Sequence, residues 1–155
     1  MTKFEQIKTW LSENGAVFRE VHHEPTPTSE DSARARGEDI SIGGKALVMK
    51  VDEAFKIFVI SAAHKADSKK IRDYFHAKKS RFATAEELLA LTGLVPGSVP
   101  PFGKPILDLD LFVDTSVTEN EKIAFNAASL TDSIIMPTAD YLRLAQPTIF
   151  SFAQM

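Results

Sequence analysis

The segment Gly93–Pro105, GLVPGSVPPFGKP, sets the strongest limit on how this 155-residue chain can fold. Proline fixes φ and carries no N–H, so Pro96, Pro100 and Pro101 keep a helix or an interior strand from running through it. Gly97 and Gly103 permit backbone geometries closed to other residues. The expectation is a rigid loop whose remaining N–H groups, at Gly97, Ser98, Val99, Phe102 and Gly103, can point into a cavity. Fixed N–H groups of this kind can hold a carboxylate or a developing oxyanion without a charged side chain. The competing reading is an irregular surface connection. Rigidity and the central Phe102 favour a functional loop.

Regular elements flank the loop. TAEELLALTG opens on a capping box, Thr84 with Glu87, and Gly93 stands where a helix stops. Residues 3–14 form an amphipathic helix with Phe4, Ile7 and Leu11 on one face, Thr2 as cap and Gly15 as stop. AVFREV alternates as a strand. PTPTSEDSARARG is a turn and a short helix with Ser29 as candidate N-cap, acids first, arginines after and Gly37 at its end. KALVMKV and AFKIFVISA make a hairpin around Asp52-Glu53. A helix runs from Ser68 to about Phe75. ILDLDLFV, KIAFNAA and SIIM read as strands, TADYLRLA as a capped helix and TIFSF as a last strand. Hairpins without regular βαβ alternation predict an α/β (α+β) chain. Its sheet is mixed, mainly antiparallel and barrel-like, is flanked by helices, and belongs to one domain spanning residues 1–155.

Composition excludes several chemistries. With no cysteine there is no disulfide framework and no thiol catalysis. No apolar run has transmembrane length and the N-terminus does not resemble a signal peptide, which together favour the cytoplasm. The net charge of −3 does not mark a nucleic-acid binder. HKADSKKIRDYFHAKKSR is nevertheless locally basic, and screening limits each charge's reach to about 8 Å at physiological salt, so a basic face can act on an acidic protein. Charge alone favours a solvated helix face.

Two further segments carry candidate chemistry. ISIGGKALVMK puts Gly43-Gly44 before Lys45 at the mouth of an apolar strand. That arrangement suits an anionic or carbonyl-bearing ligand, but equally a turn beside an exposed lysine. It is not a phosphate-binding P-loop, because the first glycine is missing and Ala46 replaces the Ser/Thr. FNAASLTDS offers Asn126, Ser129, Thr131 and Asp132, which can line a polar pocket but are also ordinary turn chemistry. His22-His23 point to opposite faces of a strand and chelate poorly. Asp108 and Asp110 read as solvent-facing charges, and no nucleophile elbow accompanies the Ser, His and Asp residues. No metal or cofactor is expected.

Taken together, Lys45 in GGKALVMK, the segment KKSRFATAEELLALTGLVPGSVPPFG and the segment FNAASLTDSIIMPTADYL resemble the YbaK/prolyl-tRNA-synthetase-associated family in order and spacing. The resemblance runs from about Thr28 nearly to the C-terminus. It implies an α/β fold around a mixed barrel-like sheet and hydrolysis of mischarged aminoacyl-tRNA in trans, with a synthetase as a further candidate partner. It assigns Lys45 as the essential lysine. Gly97, Ser98, Pro100, Pro101, Phe102 and Gly103 become the loop that holds the aminoacyl carbonyl and attacking water. Asn126, Ser129 and Thr131 become the aminoacyl pocket, and Thr28-Ser29 the segment near the terminal adenosine. On this reading Lys69, Lys70 and Lys78 supply tRNA affinity. Asn126 falls where the alanine-clearing branch shows histidine, and Ala128 where many relatives have glycine. Both argue against an alanyl-specific enzyme, and a pocket lined by Asn126, Ser129 and Thr131 suits a small hydroxylated amino acid, Ser or Thr, over Ala or Cys. The rival function is a non-catalytic module that binds tRNA or aminoacyl-adenosine on the same fold.

Overall fold

In the computed structural model, which describes residues 1–26 and 28–155, the hairpin around Asp52-Glu53 forms the middle of the larger sheet. Strands β2 (Gly44–Val51) and β3 (Ala54–Ser61) pair antiparallel in full register. β4 (Ser80–Phe82) adds to β2, β5 (Asp110–Val113) runs parallel to β3, and β8 (Thr148–Ile149) runs parallel to β5. The smaller sheet is antiparallel, in the order β1 (Arg19–His22), β7 (Asp132–Pro137), β6 (Lys122–Asn126). A single bridge from Gly43 to Ala124 joins the sheets beside the N-terminal end of β2.

Why β3 is central follows from its sequence. Ile57, Phe58, Val59 and Ile60 are all fully buried. Successive side chains face opposite sides of a strand. Ile57 and Val59 therefore enter the core shared with the small sheet, where Phe125 and Ile134 meet them. Phe58 and Ile60 face the other way, toward Phe112, Phe152 and α3 (Ser68–Phe75), whose Ile71 and Phe75 close that layer. The remaining helices are α1 (Lys3–Glu13), α2 (Ser29–Arg36), α4 (Ala85–Thr92), α5 (Thr115–Thr118) and α6 (Thr138–Ala145). No helix among the described residues is long and apolar enough to cross a membrane.

Three local expectations need correction. Thr28, not Ser29, caps α2: its extended backbone lets the side chain accept from the Asp31 N–H, which makes Ser29 the first helical residue. The α6 helix has no side-chain cap, because Pro137 holds that position and the Thr138 hydroxyl is buried without a partner among the described residues. Of ILDLDLFV only Asp110–Val113 is strand, since the Ile106 and Leu107 N–H groups both turn back to the Gly103 carbonyl.

The C-terminal segment is held by one carboxylate. Asp114 is buried, and its Oδ1 accepts from the N–H groups of Phe152 (2.6 Å) and Ala153 (3.0 Å) while Oδ2 accepts from Ser116 (2.9 Å). Burial alone would raise this carboxyl, but the hydrogen bonds outweigh it and hold it below its ordinary value. Its contribution to stability is therefore full above the unfolded value of about 3.9 and is lost as pH falls through the lower folded value. Asp114→Asn puts an amide where three N–H groups converge. It is expected to lower stability by about 1.5–3 kcal/mol in denaturant titrations at neutral pH, with a smaller difference from wild type at acid pH.

Candidate active site

One face of α2, the N-terminal end of β2, the Gly97 loop and the end of β6 line one pocket. Its floor depends on a glycine. A Cβ on Gly44 would stand 2.6 Å from Ile123 Cδ1 and 2.8 Å from its Cγ1, and Ile123 is itself 1 % exposed. Gly43 has φ −61°, an ordinary extended value, so this glycine pair serves close approach of β2 to β6 rather than a turn. Lys45 then leaves the strand at the pocket, half-buried, with no carboxylate or hydrogen-bond partner for its ammonium among the described residues.

The wall opposite is the proline loop. Val95-Pro96-Gly97-Ser98 is a type II turn: Pro96 presets φ, Gly97 takes φ +87°, and the Val95 carbonyl accepts the Ser98 N–H at 3.1 Å. Gly97 and Val99 line the pocket, and neither N–H has an acceptor among the described residues. The Phe102 and Gly103 N–H groups have no acceptor among the described residues either, but those residues lie outside the lining. Further along, Phe102 is fully buried between Trp10, Phe125 and Tyr141, with centroids 5.3 Å from each. The Tyr141 hydroxyl donates to the Pro101 carbonyl at 2.6 Å, and burial pushes this phenol's pKa up.

Of the site candidates, Thr28, Ser29, Lys45, Gly97 and Asn126 meet in one pocket, while the others lie outside its lining. The Ser98 N–H and hydroxyl both bond to Val95, closing the turn. Pro100, Pro101 and Phe102 are buried and anchor the loop to the core. Gly103 allows backbone packing, since a Cβ there would meet the Leu109 carbonyl at 2.7 Å. Ser129 and Thr131 belong to the β6–β7 turn. Both hydroxyls donate to Asp132 Oδ2, at 2.7 and 3.2 Å, and Asp132 also pairs with His22. In that turn Ala128 takes φ +60°, the left-handed region that favours glycine.

The basic segment lies apart from the pocket. Lys69 pairs with Asp73 at 2.9 Å, and the Lys70 ammonium donates to the Ala153 carbonyl at 2.8 Å. Lys78 is exposed beside the β2–β3 turn, where the backbone N–H groups of Lys78 and Lys79 both reach Asp52. At about 3.3 Å per residue, the length of β2 puts that turn roughly 25 Å from Lys45.

Sequence reasoning missed Arg36. It is 9 % exposed, lines the pocket, and donates from Nε to Ser133 Oγ (3.0 Å) and from Nη2 to Asn126 Oδ1 (3.1 Å). Burial lowers its guanidinium to about 10, still charged at neutral pH. The available signal was spacing: Ser32 and Ala33, small and buried, lie four and three positions before Arg36 and share its helix face. Among the described residues the lining includes two cations, Arg36 and Lys45, and no Asp or Glu. Nor do the described residues contain a group of three His, Cys, Asp or Glu that could hold a metal ion.

The structure is a mixed two-sheet frame around a cationic, hydroxyl-rich pocket walled by a proline-stiffened loop. The pattern of the aminoacyl-tRNA editing domain family matches residues 23–144, and the chain belongs to that family. Among its relatives is the multifunctional Ser/Thr-tRNA deacylase ProXp-y of Escherichia coli, 37% identical over 148 residues, covering 92% of this chain and 87% of that protein. The proline–tRNA ligase of Shouchella clausii is 32% identical over 100 residues, covering 64% of this chain but 17% of the ligase. A solved structure of a candidate trans-editing enzyme for prolyl tRNA synthetase superposes with a TM-score of 0.86 at 20% identity, over 100% of this chain and 99% of that one.

Gly44→Ala would drive a methyl group into the side chain of the buried Ile123, which must shift to admit it. The expected cost is about 1–3 kcal/mol, measured as a lower unfolding midpoint, with loss of pocket function because β2 is displaced at Lys45.

Proposed function

We propose that this chain is a trans-editing hydrolase that cleaves the ester of mischarged aminoacyl-tRNA, acting in the cytoplasm as one domain over its 155 residues. The observation that carries the reading is that Lys45 and the backbone of Gly97 and Val99, whose N–H groups have no acceptor among the described residues, line one pocket whose described lining holds no Asp or Glu. Family membership and 37% identity to a Ser/Thr-tRNA deacylase support it.

The chemistry needs no protein nucleophile. Water adds to the ester carbonyl carbon and the carbonyl oxygen becomes negative. The ester C–O bond then breaks and the ribose oxygen leaves, taking up the proton the water has lost. The products are a free amino acid and a tRNA with its terminal hydroxyl restored. Fixed N–H donors stabilise the oxyanion because they are already oriented and need no reorganisation. Lys45 adds positive charge for the oxyanion or the terminal phosphate.

Preference for a hydroxylated side chain rests on the Ser29 hydroxyl, which has no partner among the described residues, and on the one O–H that the Thr26–Ser32 pair leaves free, since Thr28 is bonded to Asp31 and Ser129 and Thr131 to Asp132. A site built to pair a substrate hydroxyl penalises an analogue lacking it, because its polar groups stay unpaired. Lys69, Lys70 and Lys78 serve affinity: a tRNA whose 3′ end enters the pocket can lay its acceptor stem along α3 toward the β2–β3 turn.

The decisive measurement is ester loss from a panel of Ser-, Thr-, Ala- and Cys-charged tRNAs. Ser- and Thr-tRNA should be cleaved faster than Ala-tRNA, by tenfold or more if about 1.4 kcal/mol of hydrogen bonding is at stake. Tight tRNA binding without turnover on any substrate would favour the non-catalytic binding module instead. Lys45→Ala should lower kcat by roughly 10²–10³ with an unchanged fold, the scale of removing one oxyanion donor. Lys45→Arg should fail as well, because a broad guanidinium does not replace a compact ammonium.

Reversing Lys69, Lys70 and Lys78 to Glu should raise KM for tRNA while kcat holds. The log–log salt dependence should flatten by about 0.7–0.9 for each phosphate that is no longer neutralised. An unmoved KM and slope would locate the acceptor stem elsewhere.

A further inference from the structure

The costliest group in the pocket is Arg36, a buried cation with no acid in reach: none of the ion pairs among the described residues includes it. Burying an unpaired guanidinium opposes folding, so stability alone is a poor account of it. Its hydrogen bonds give a better one.

The Asn126 amide is the meeting point. Its Oδ1 accepts from Arg36 Nη2 at 3.1 Å and from the Ser133 hydroxyl at 3.0 Å. Its Nδ2 donates to the Gly97 carbonyl at 2.8 Å. Turning the amide over would set its NH₂ against Arg36 and its oxygen against the Gly97 carbonyl, donor on donor and acceptor on acceptor. Arginine has five donors and no acceptor, so it enforces one orientation where a hydroxyl or a water would accommodate either. Nε meanwhile holds Ser133 at 3.0 Å, and Ser133 also meets His23 Nε2 at 2.8 Å, which keeps the far side of the amide fixed.

We propose that Arg36 is a positioning residue: by orienting Asn126 it fixes the Gly97 carbonyl and so the Gly97–Ser98 peptide plane, which joins the two adjacent peptides that carry the Gly97 and Val99 N–H groups. This rests on the deacylase reading for its catalytic consequence, but the orientation itself does not. Asn126 is then a buckle between α2 and the proline loop rather than a direct contact for the substrate hydroxyl. Arg36 Nη1, 3.6 Å from where a Cβ on Gly43 would stand and without a protein acceptor among the described residues, stays open to the pocket.

The test combines a double-mutant cycle with a readout independent of turnover. Arg36→Met, Asn126→Ala and the double variant are compared in single-turnover deacylation of the best substrate of the panel. If Arg36 acts through Asn126, each single variant lowers kcat by about tenfold or more with KM for tRNA nearly constant, and the double variant is no worse than Asn126→Ala. Losses that multiply would overturn the proposal. In parallel, ¹H–¹⁵N spectra follow the Asn126 side-chain NH₂ and the Gly97, Ser98 and Val99 amides. They should shift or broaden in Arg36→Met and stay in place in the exposed control Arg34→Met. Loop amides that do not move would sink the proposal whatever the enzyme's activity, whereas wild-type inactivity with moving amides would sink only the deacylase reading. Should Arg36→Met fail to fold, Arg36→Lys keeps the charge and loses the planar fork. It should show the same loop shifts, and wild-type spectra and kcat in that variant would refute a role for the guanidinium geometry.

Discussion

A loop with four prolines cannot hold itself in place by a backbone ladder, because proline has no N–H to donate. Every feature of the pocket depends on how that deficit is met. Here side chains from the C-terminal half meet it: Tyr141 donates to the Pro101 carbonyl, and Asn126 donates to the Gly97 carbonyl. Between them Phe102 is sunk in the aromatic core. The loop is therefore anchored at its carbonyls, which leaves the N–H groups of Gly97 and Val99 for another partner. A segment fixed by its acceptors and open at its donors is suited to an oxyanion.

The electrostatics follow the same division. The chain carries net negative charge, yet its pocket collects Arg36 and Lys45 with no acid among the described lining residues. Acidic side chains nearby are occupied elsewhere. Glu38 pairs with Arg19 and Lys122, and hydrogen bonds from Lys122 and Arg19 hold its carboxyl below the ordinary value. Asp31 is tied to Thr28 and Arg34 at the start of α2. A cleft of one sign with low-dielectric walls concentrates its field on whatever enters, so a small local set of charges outweighs the global balance.

Elements with a local cause were legible in the sequence. The helix caps of α1 and α4, the glycine stops and the β2–β3 hairpin lie where spacing indicated, since caps and turns depend on residues within a few positions of one another. Where the structure departs from that reading, a distant or competing partner decides. The short extent of β5 reflects the Gly103 carbonyl drawing back Ile106 and Leu107. The removal of Ser129 and Thr131 from the pocket reflects Asp132, which claims both hydroxyls.

By itself the sequence determined that a proline-stiffened loop follows a capped helix, that Gly43-Gly44 precedes a lysine on an apolar strand, and that the whole resembles an editing domain. Those are statements about backbone freedom and periodicity, which neighbouring residues settle. Only the tertiary structure decided which loop N–H groups remain unpaired, that Phe102 is core rather than lining, and that Arg36 is a pocket residue while Arg34 is an exposed partner of Asp31. The two arginines are two positions apart on one helix and chemically identical. What separates them is the helix face they occupy: Arg36 meets Asn126 and Ser133, 90 and 97 residues away in sequence and within hydrogen-bonding distance only once α2 packs against the smaller sheet.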